Sequence, residues 1–268
     1  MSIRYFDAHC HPQFSDYDAD RKDVLARMEK EKIGGMVVGC DVDSSRKAVA
    51  LAEQHSFLYA AAGLHPNHAA DESFSEKIFT ELAAHPKVHA IGECGLDYYR
   101  SRDAHDAAKK AQADLFEQHV HLAATKKLPL IIHTRPTKGS MDAYEDALSL
   151  LESAKREYGA SLTGDFHFFA GDIVIARRAI SLGFTLSFTA VITFARDYDD
   201  VIRYVPLNSI LAETDSPYVA PASRRGQRND SLAVRDVVKA LAGVRGMPED
   251  EMRAVSVENA RRLFHIDV

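Results

Sequence analysis

The sequence predicts a (β/α)8 barrel of the α/β class, the TIM barrel, and three observations carry that expectation. Eight short apolar runs alternate with longer amphipathic stretches, the order of a parallel sheet covered by helices. The chain has 268 residues, close to the roughly 250 of an ordinary barrel of this kind. Five of the apolar runs end in His, Glu or Asp, and strand ends are where such a barrel builds its active site. A doubly wound open sheet is the alternative architecture.

Strands are expected at 3–9, 33–39, 57–63, 88–93, 128–133, 161–167, 183–188 and 209–213. Helical patterns fill the gaps near 20–32, 43–55, 73–85, 106–127, 140–158, 172–181 and 196–204, with closing helices at 231–243 and 248–264. The second strand is glycine-rich and the sixth is weakly patterned. No Gly/Ser/Pro linker, low-complexity block or short-period repeat interrupts the chain, so residues 1–268 read as one domain.

Composition narrows the function. Hydrophobic residues make up 46% of the chain, enough for a sizeable core. The 33 basic and 39 acidic residues leave a net charge of −6. No global field attracts polyanions, so a nucleic-acid role needs a local basic patch. Cys10, Cys40 and Cys94 are too scattered for a disulfide framework, which fits a reducing compartment. No apolar signal core or bilayer-length stretch is seen. The expectation is a cytoplasmic protein without a membrane partner, a monomer with an oligomer as the alternative.

The first strand, Arg4-Tyr5-Phe6-Asp7-Ala8-His9-Cys10-His11, organises the chain. Alternation puts His9 and His11 on one face and Cys10 on the other. Pro12 then stops the strand. Two imidazoles at a strand end can share a metal, yet His-x-His alone also describes two surface histidines. The other strand ends add weight. Strand four reaches Glu93, strand five His133, strand six His167, and strand eight stops just short of Asp215. Their intervals suit three βα units, one, one, and a compressed two, at about 31 residues per unit. Four histidines and two acids can hold two divalent ions, Zn or Mn more comfortably than Mg because of the nitrogen donors.

Other residues compete for attention. His119-Val120-His121 repeats the spelling on a helix, where residues two apart diverge. His55, His68, His85, His89 and His105 fall in helix ends, loops or off the ligand-bearing face. His65 ends strand three beside Pro66 and faces the mouth, suiting substrate contact or support of the ligands. Cys10 and Cys94 alternate away from their neighbouring ligands and read as small core residues. Gly92 and Gly95 flank Glu93, as close backbone packing requires. Arg135 can fork onto a phosphate. Arg225 and Arg228, in Ser223-Arg224-Arg225-Gly226-Gln227-Arg228-Asn229, offer phosphate contacts at the mouth. Tyr98, Tyr99 and Tyr218 offer stacking faces for bases.

The chain resembles the TatD family of metal-dependent hydrolases, within the amidohydrolase-like barrels, over nearly its whole length. The matching stretches are Asp7-Ala8-His9-Cys10-His11, Gly63-Leu64-His65-Pro66, Gly92-Glu93-Cys94-Gly95-Leu96-Asp97-Tyr98-Tyr99-Arg100, His133-Thr134-Arg135, His167-Phe168-Phe169-Ala170-Gly171, Glu213-Thr214-Asp215-Ser216-Pro217-Tyr218, Arg225-Gly226-Gln227-Arg228-Asn229 and Glu258-Asn259-Ala260-Arg261-Arg262-Leu263-Phe264. The resemblance implies that His9, His11, Glu93, His133, His167 and Asp215 bind metal, with Glu93 bridging two ions. It implies deoxyribonuclease activity, commonly trimming DNA from the 3′ end. Departures follow His133 (Thr-Arg-Pro), His167 (Phe-Phe-Ala) and Asn229 (Asp-Ser); none removes a ligand.

Glu93 and Asp215 are the expected catalytic residues, Asp215 as ligand and proton acceptor. The substrate-binding candidates are His65, Arg135, Tyr98, Arg225 and Arg228. Two other functions share this centre: hydrolysis of an ester or amide such as an aminoacyl-tRNA ester, and non-catalytic binding by a protein that keeps its metals.

Overall fold

The structure, a computed structural model, describes residues 3–69, 72–99 and 106–267. Eight strands pair in chain order, each parallel to the next: β1 (Tyr5–Cys10), β2 (Ile33–Val38), β3 (Leu58–Ala62), β4 (Val88–Asp97), β5 (Leu130–Arg135), β6 (Gly164–Phe166), β7 (Thr185–Phe188) and β8 (Ile210–Ala212). The chain just past β8 returns to β1. Asp215 N–H donates to the His9 carbonyl at 2.9 Å, and His11 N–H donates to the Ser216 carbonyl at 2.8 Å. That closure excludes the open sheet.

The helices are α1 (Arg21–Lys30), α2 (Val42–Gln54), α3 (Glu76–Ala83), α4 (Asp106–Lys126), α5 (Asp142–Tyr158), α6 (Ile173–Ser181), α7 (Asp199–Tyr204), α8 (Val234–Arg245) and α9 (Glu249–Phe264). Strands walled by helices are buried on both faces, so they read as unbroken apolar runs rather than alternating ones. Met36-Val37-Val38 and Leu130-Ile131-Ile132 are such runs, and all six residues are buried. Local signals set the helix ends. Asp41 and Ser44 form a reciprocal capping box at the start of α2. The Asp172 carboxylate accepts from Ile175 N–H at the start of α6. α8 ends on Gly246 at φ +64. Among the described residues, no helix is long and apolar enough to cross a membrane.

The strand bounds shift by up to two residues elsewhere, as in β5, and two strands differ more. β6 is shorter than 161–167, because Ser161 closes a 3-10 turn before it. β4 runs on to Asp97, since Cys94, Gly95, Leu96 and Asp97 pair with Ile132, His133, Thr134 and Arg135 after a register shift. Gly95 makes the close approach possible. Its φ is +132, and a Cβ there would lie 2.1 Å from the His133 carbonyl oxygen.

The second His-x-His resolves into two unrelated side chains. His119 is buried in α4, accepting from Leu64 N–H at 2.9 Å and facing the Leu115 carbonyl at 2.8 Å. Its Nδ1 therefore carries the proton and donates. His121 points outward to the Tyr158 hydroxyl. Burial pushes the His119 pKa down to about 4, against a small opposing effect of the Leu115 carbonyl. The unfolded chain protonates this side chain near 6.5, so its stabilising contribution is intact above 6.5 and is lost as pH falls toward 4. The full loss is about 3 kcal/mol. We expect the difference in unfolding free energy between the parent and His119→Gln to shrink by about that amount between pH 7 and pH 4. Parallel stability curves would reject the assignment.

Candidate metal centre

Alternation along β1 works as read. His9 and His11 enter the barrel mouth, while the Cys10 thiol turns away to the Met36 carbonyl at 3.2 Å. Glu93 lies at the middle of the mouth, buried at 4% exposure. Its Oε1 is 2.9 Å from His133 Nδ1, 2.9 Å from His167 Nε2 and 3.4 Å from His65 Nε2. Its Oε2 is 3.5 Å from His9 Nε2 and 3.5 Å from the Cys40 thiol. Asp215 Oδ1 stands 3.5 Å from His11 Nε2 and 3.8 Å from His9 Nε2. Asp215 has φ +52, a left-handed backbone that Asp tolerates better than most residues. Three sets of donors therefore converge: His9, His11 and Glu93; Glu93, His133 and His167; and His9, His167 and Asp215.

The inward nitrogens are set by what holds the outward ones. His11 Nδ1 is 2.7 Å from the Val38 carbonyl, to which it donates. His133 Nε2 is 3.1 Å from Asp97 Oδ2. His167 Nδ1 lies 3.4 Å from Glu213 Oε1. At that distance it makes no hydrogen bond, and Nδ1 of His9 and of His167 are both buried without a partner among the described residues. His9 Nε2 and His11 Nε2 face each other at 3.1 Å. With Nδ1 of His11 protonated, its Nε2 offers a lone pair toward His9 and Glu93. Such a focus of nitrogen lone pairs around a carboxylate suits a divalent cation.

The histidines hold both carboxylates ionised against their burial. Burial alone would raise the Glu93 pKa, but His167, His65 and His133 hold it well below the usual carboxylate range. Burial likewise opposes ionisation of Asp215, yet the His11 hydrogen bond and the charges of His9 and His167 keep its pKa lowered. Burial disfavours the charged form of His167, but Glu93 and Glu213 raise its pKa well above the ordinary value. Burial lowers that of His9.

The six expected ligands come together; the substrate candidates divide. His65 lies against Glu93, and its Nδ1 accepts from Asn67 N–H at 3.1 Å. Its Nε2 therefore carries a proton and points it at Glu93. Arg135 is exposed, its guanidinium 4.1 Å from the Tyr99 ring centre. Arg225 is exposed over Phe194 at 4.2 Å. Tyr218 is 53% exposed.

Two candidates need correcting. Tyr98 is 3% exposed, donates to Asp146 at 2.9 Å and lies under Lys109, so it packs between β4 and its helices and offers no face to a base. Arg228 grips both Asp20 oxygens, at 2.8 and 2.6 Å, and lies over Tyr17. Its charge is neutralised by the protein and anchors the loop. Asn229 beside it bonds the Thr214 and Val219 carbonyls, bracing the turn that presents Asp215. His105 and Arg100 lie outside the described residues.

Several further buried acids and a thiol surround the centre. Asp7 accepts from Thr214 N–H at 2.8 Å and Thr214 Oγ1 at 2.6 Å, tying β1 to the Asp215 turn. Burial pushes its pKa up to about 7. Glu213 accepts from Phe168 N–H at 2.7 Å and Ser187 Oγ at 2.6 Å. Asp97 and Cys40 also adjoin the centre. Asp97 carried a faint signal, an even number of residues past Glu93, but only the extended β4 places it. Cys40 carried none.

Comparison with known proteins gives a consistent picture. Residues 6–265 match the family described as TatD related DNase. The metal-dependent hydrolase YabD of Bacillus subtilis is 36% identical over 98% of this chain and 99% of its own length. The metal-dependent hydrolase YcfH of Escherichia coli K12 is 34% identical over 97% of this chain and 96% of its own. The crystal structure of YJJV, a TatD homolog from Escherichia coli K12, aligns with a TM-score of 0.88 and 28% identity, covering 100% of both chains.

Proposed function

Because the chain belongs to the TatD related DNase family of metal-dependent hydrolases, we propose that it cleaves DNA phosphodiester bonds, removing nucleotides from the 3′ end. The observation that carries the reading is Glu93, a buried carboxylate with one oxygen on His133 and His167 and the other toward His9. In this reading His9, His11, Glu93, His133, His167 and Asp215 would hold two divalent ions. When bound, the pair supplies Lewis acidity that acidifies a water and offsets charge on the phosphoryl oxygens.

The chain's own groups do the rest. Asp215, its side chain 15% exposed, meets solvent at the mouth and accepts the proton of the attacking water. His65 presents its Nε2–H beside Glu93, which keeps that carboxylate oriented. Arg135 and Arg225 are exposed cations at the mouth, each lying over an aromatic ring, and they position phosphates.

The test is a panel of single- and double-stranded DNA, RNA and aminoacyl esters, assayed with purified protein and varied metals. DNA cleavage with two bound ions per chain supports the proposal. Turnover of an aminoacyl ester with inert DNA would replace it with the ester-hydrolase reading, and no turnover with metals bound would leave the binding-protein reading. Arg225→Ala is expected to raise KM more than it lowers kcat. It should also reduce the logarithmic salt slope of single-strand binding by about 0.7. Unchanged kinetics and slope would show Arg225 to be merely solvated.

A further inference from the structure

We infer that Asp97 is a positioning residue for metal loading: its buried carboxylate fixes His133 as the Nε2–H tautomer, so that Nδ1 turns its lone pair to the centre. The inference rests on the metal-centre reading above and adds a residue to it. Asp97 Oδ2 is 3.1 Å from His133 Nε2, and His133 Nδ1 is 2.9 Å from Glu93 Oε1. The two ring nitrogens thus face two different carboxylates. A neutral imidazole has one N–H and one lone pair. When a cation occupies the Glu93 side, the N–H belongs on the Asp97 side.

The backbone that carries this carboxylate is itself held in place. Asp97 is 1% exposed. Gln112 of α4 bonds both of its backbone groups, accepting from Asp97 N–H at 2.8 Å and donating to the Asp97 carbonyl at 3.1 Å. A rigid chain of contacts therefore runs from α4 through the end of β4 to a ring on β5. Such outer partners raise ligand basicity and stop the ring from turning. The other rings are held differently: His11 Nδ1 donates to a backbone carbonyl, whereas Nδ1 of His9 and of His167 has no hydrogen-bond partner among the described residues.

The same three groups allow another arrangement. His65, Asp97 and His133 also bring one donor atom each within 4.8 Å of one another. A third cation there would need His133 to give up both ring protons while serving the main centre. Retaining one proton on Nε2 avoids that cost, which favours the orienting role.

Equilibrium zinc titration of the metal-free protein and of Asp97→Asn tests this. The parent should bind two ions. The variant should bind one of them about 10- to 100-fold more weakly, the usual effect of losing an outer partner, with an unchanged far-ultraviolet dichroism spectrum. Equal affinities in parent and variant overturn the positioning role while leaving the metal centre standing. A parent that binds no zinc removes the metal centre and this inference together. Histidine 15N spectra of the zinc-loaded parent need no variant. They should show His133 metallated at Nδ1 and protonated at Nε2. Metal at both nitrogens, with three ions bound, would establish the third-cation arrangement instead.

Discussion

Glu93→Gln is expected to disassemble the centre, with bound divalent metal falling from two ions per chain to one or none and activity falling with it. Glu93 reaches both sides of the cluster, with Oε1 against His133 and His167 and Oε2 toward His9. The amide keeps the shape but removes the charge. It also turns an NH2 group toward imidazole nitrogens that should face a cation. Loss of a ligand charge must cost more than the roughly 10- to 100-fold typical of an outer partner. Metal analysis after dialysis against a fixed free zinc concentration measures it. Two retained ions of parental affinity would show that Glu93 does not bridge. The variant should remain folded, because glutamine keeps the volume and shape of the buried Glu93 side chain.

The route from sequence to centre was short where the chemistry is local. His9 and His11 could be paired because alternation needs only the strand itself, and His133 because four apolar residues lead straight to it. His167 and Asp215 followed once the strands were counted around a barrel. A residue whose meaning depends on a distant partner is not legible in the sequence. Asp97 reads as one acid among many until β4 is extended beside β5, and that extension depends on Gly95 tolerating φ +132. Arg228 looked like a phosphate contact because a basic run beside Asp215 is all that a sequence displays. Asp20, which neutralises it, lies 208 residues earlier. Tyr98 failed for the opposite reason. As the neighbour of Asp97 its ring turns outward against the helices, where Asp146 meets its hydroxyl.

Asp215→Asn is expected to leave a folded protein that retains at least one metal and binds DNA, with kcat lowered about 10²–10⁴-fold, the scale of general acid–base loss. The turn that carries Asp215 is braced independently of its carboxylate. Its backbone N–H bonds the His9 carbonyl, and Thr214 beside it is clamped by Asp7 and Asn229. The amide keeps an oxygen that can face His11 and His9, so coordination is weakened rather than removed. What disappears is a basic oxygen at the mouth, and with it, in the proposed reaction, a place for the water's proton. Glu213, the nearest acid in sequence, is a poor substitute. Both of its oxygens are occupied, by Phe168 N–H and Ser187 Oγ, and it is fully buried behind His167. The comparison with Glu93→Gln separates the two functions: that variant should lose metal first, whereas Asp215→Asn should lose turnover while metal is still present. Single-turnover cleavage at saturating metal, with bound metal measured on the same sample, distinguishes them. Near-parental cleavage by Asp215→Asn with both ions bound would remove Asp215 as the proton acceptor and leave that proton to bulk solvent.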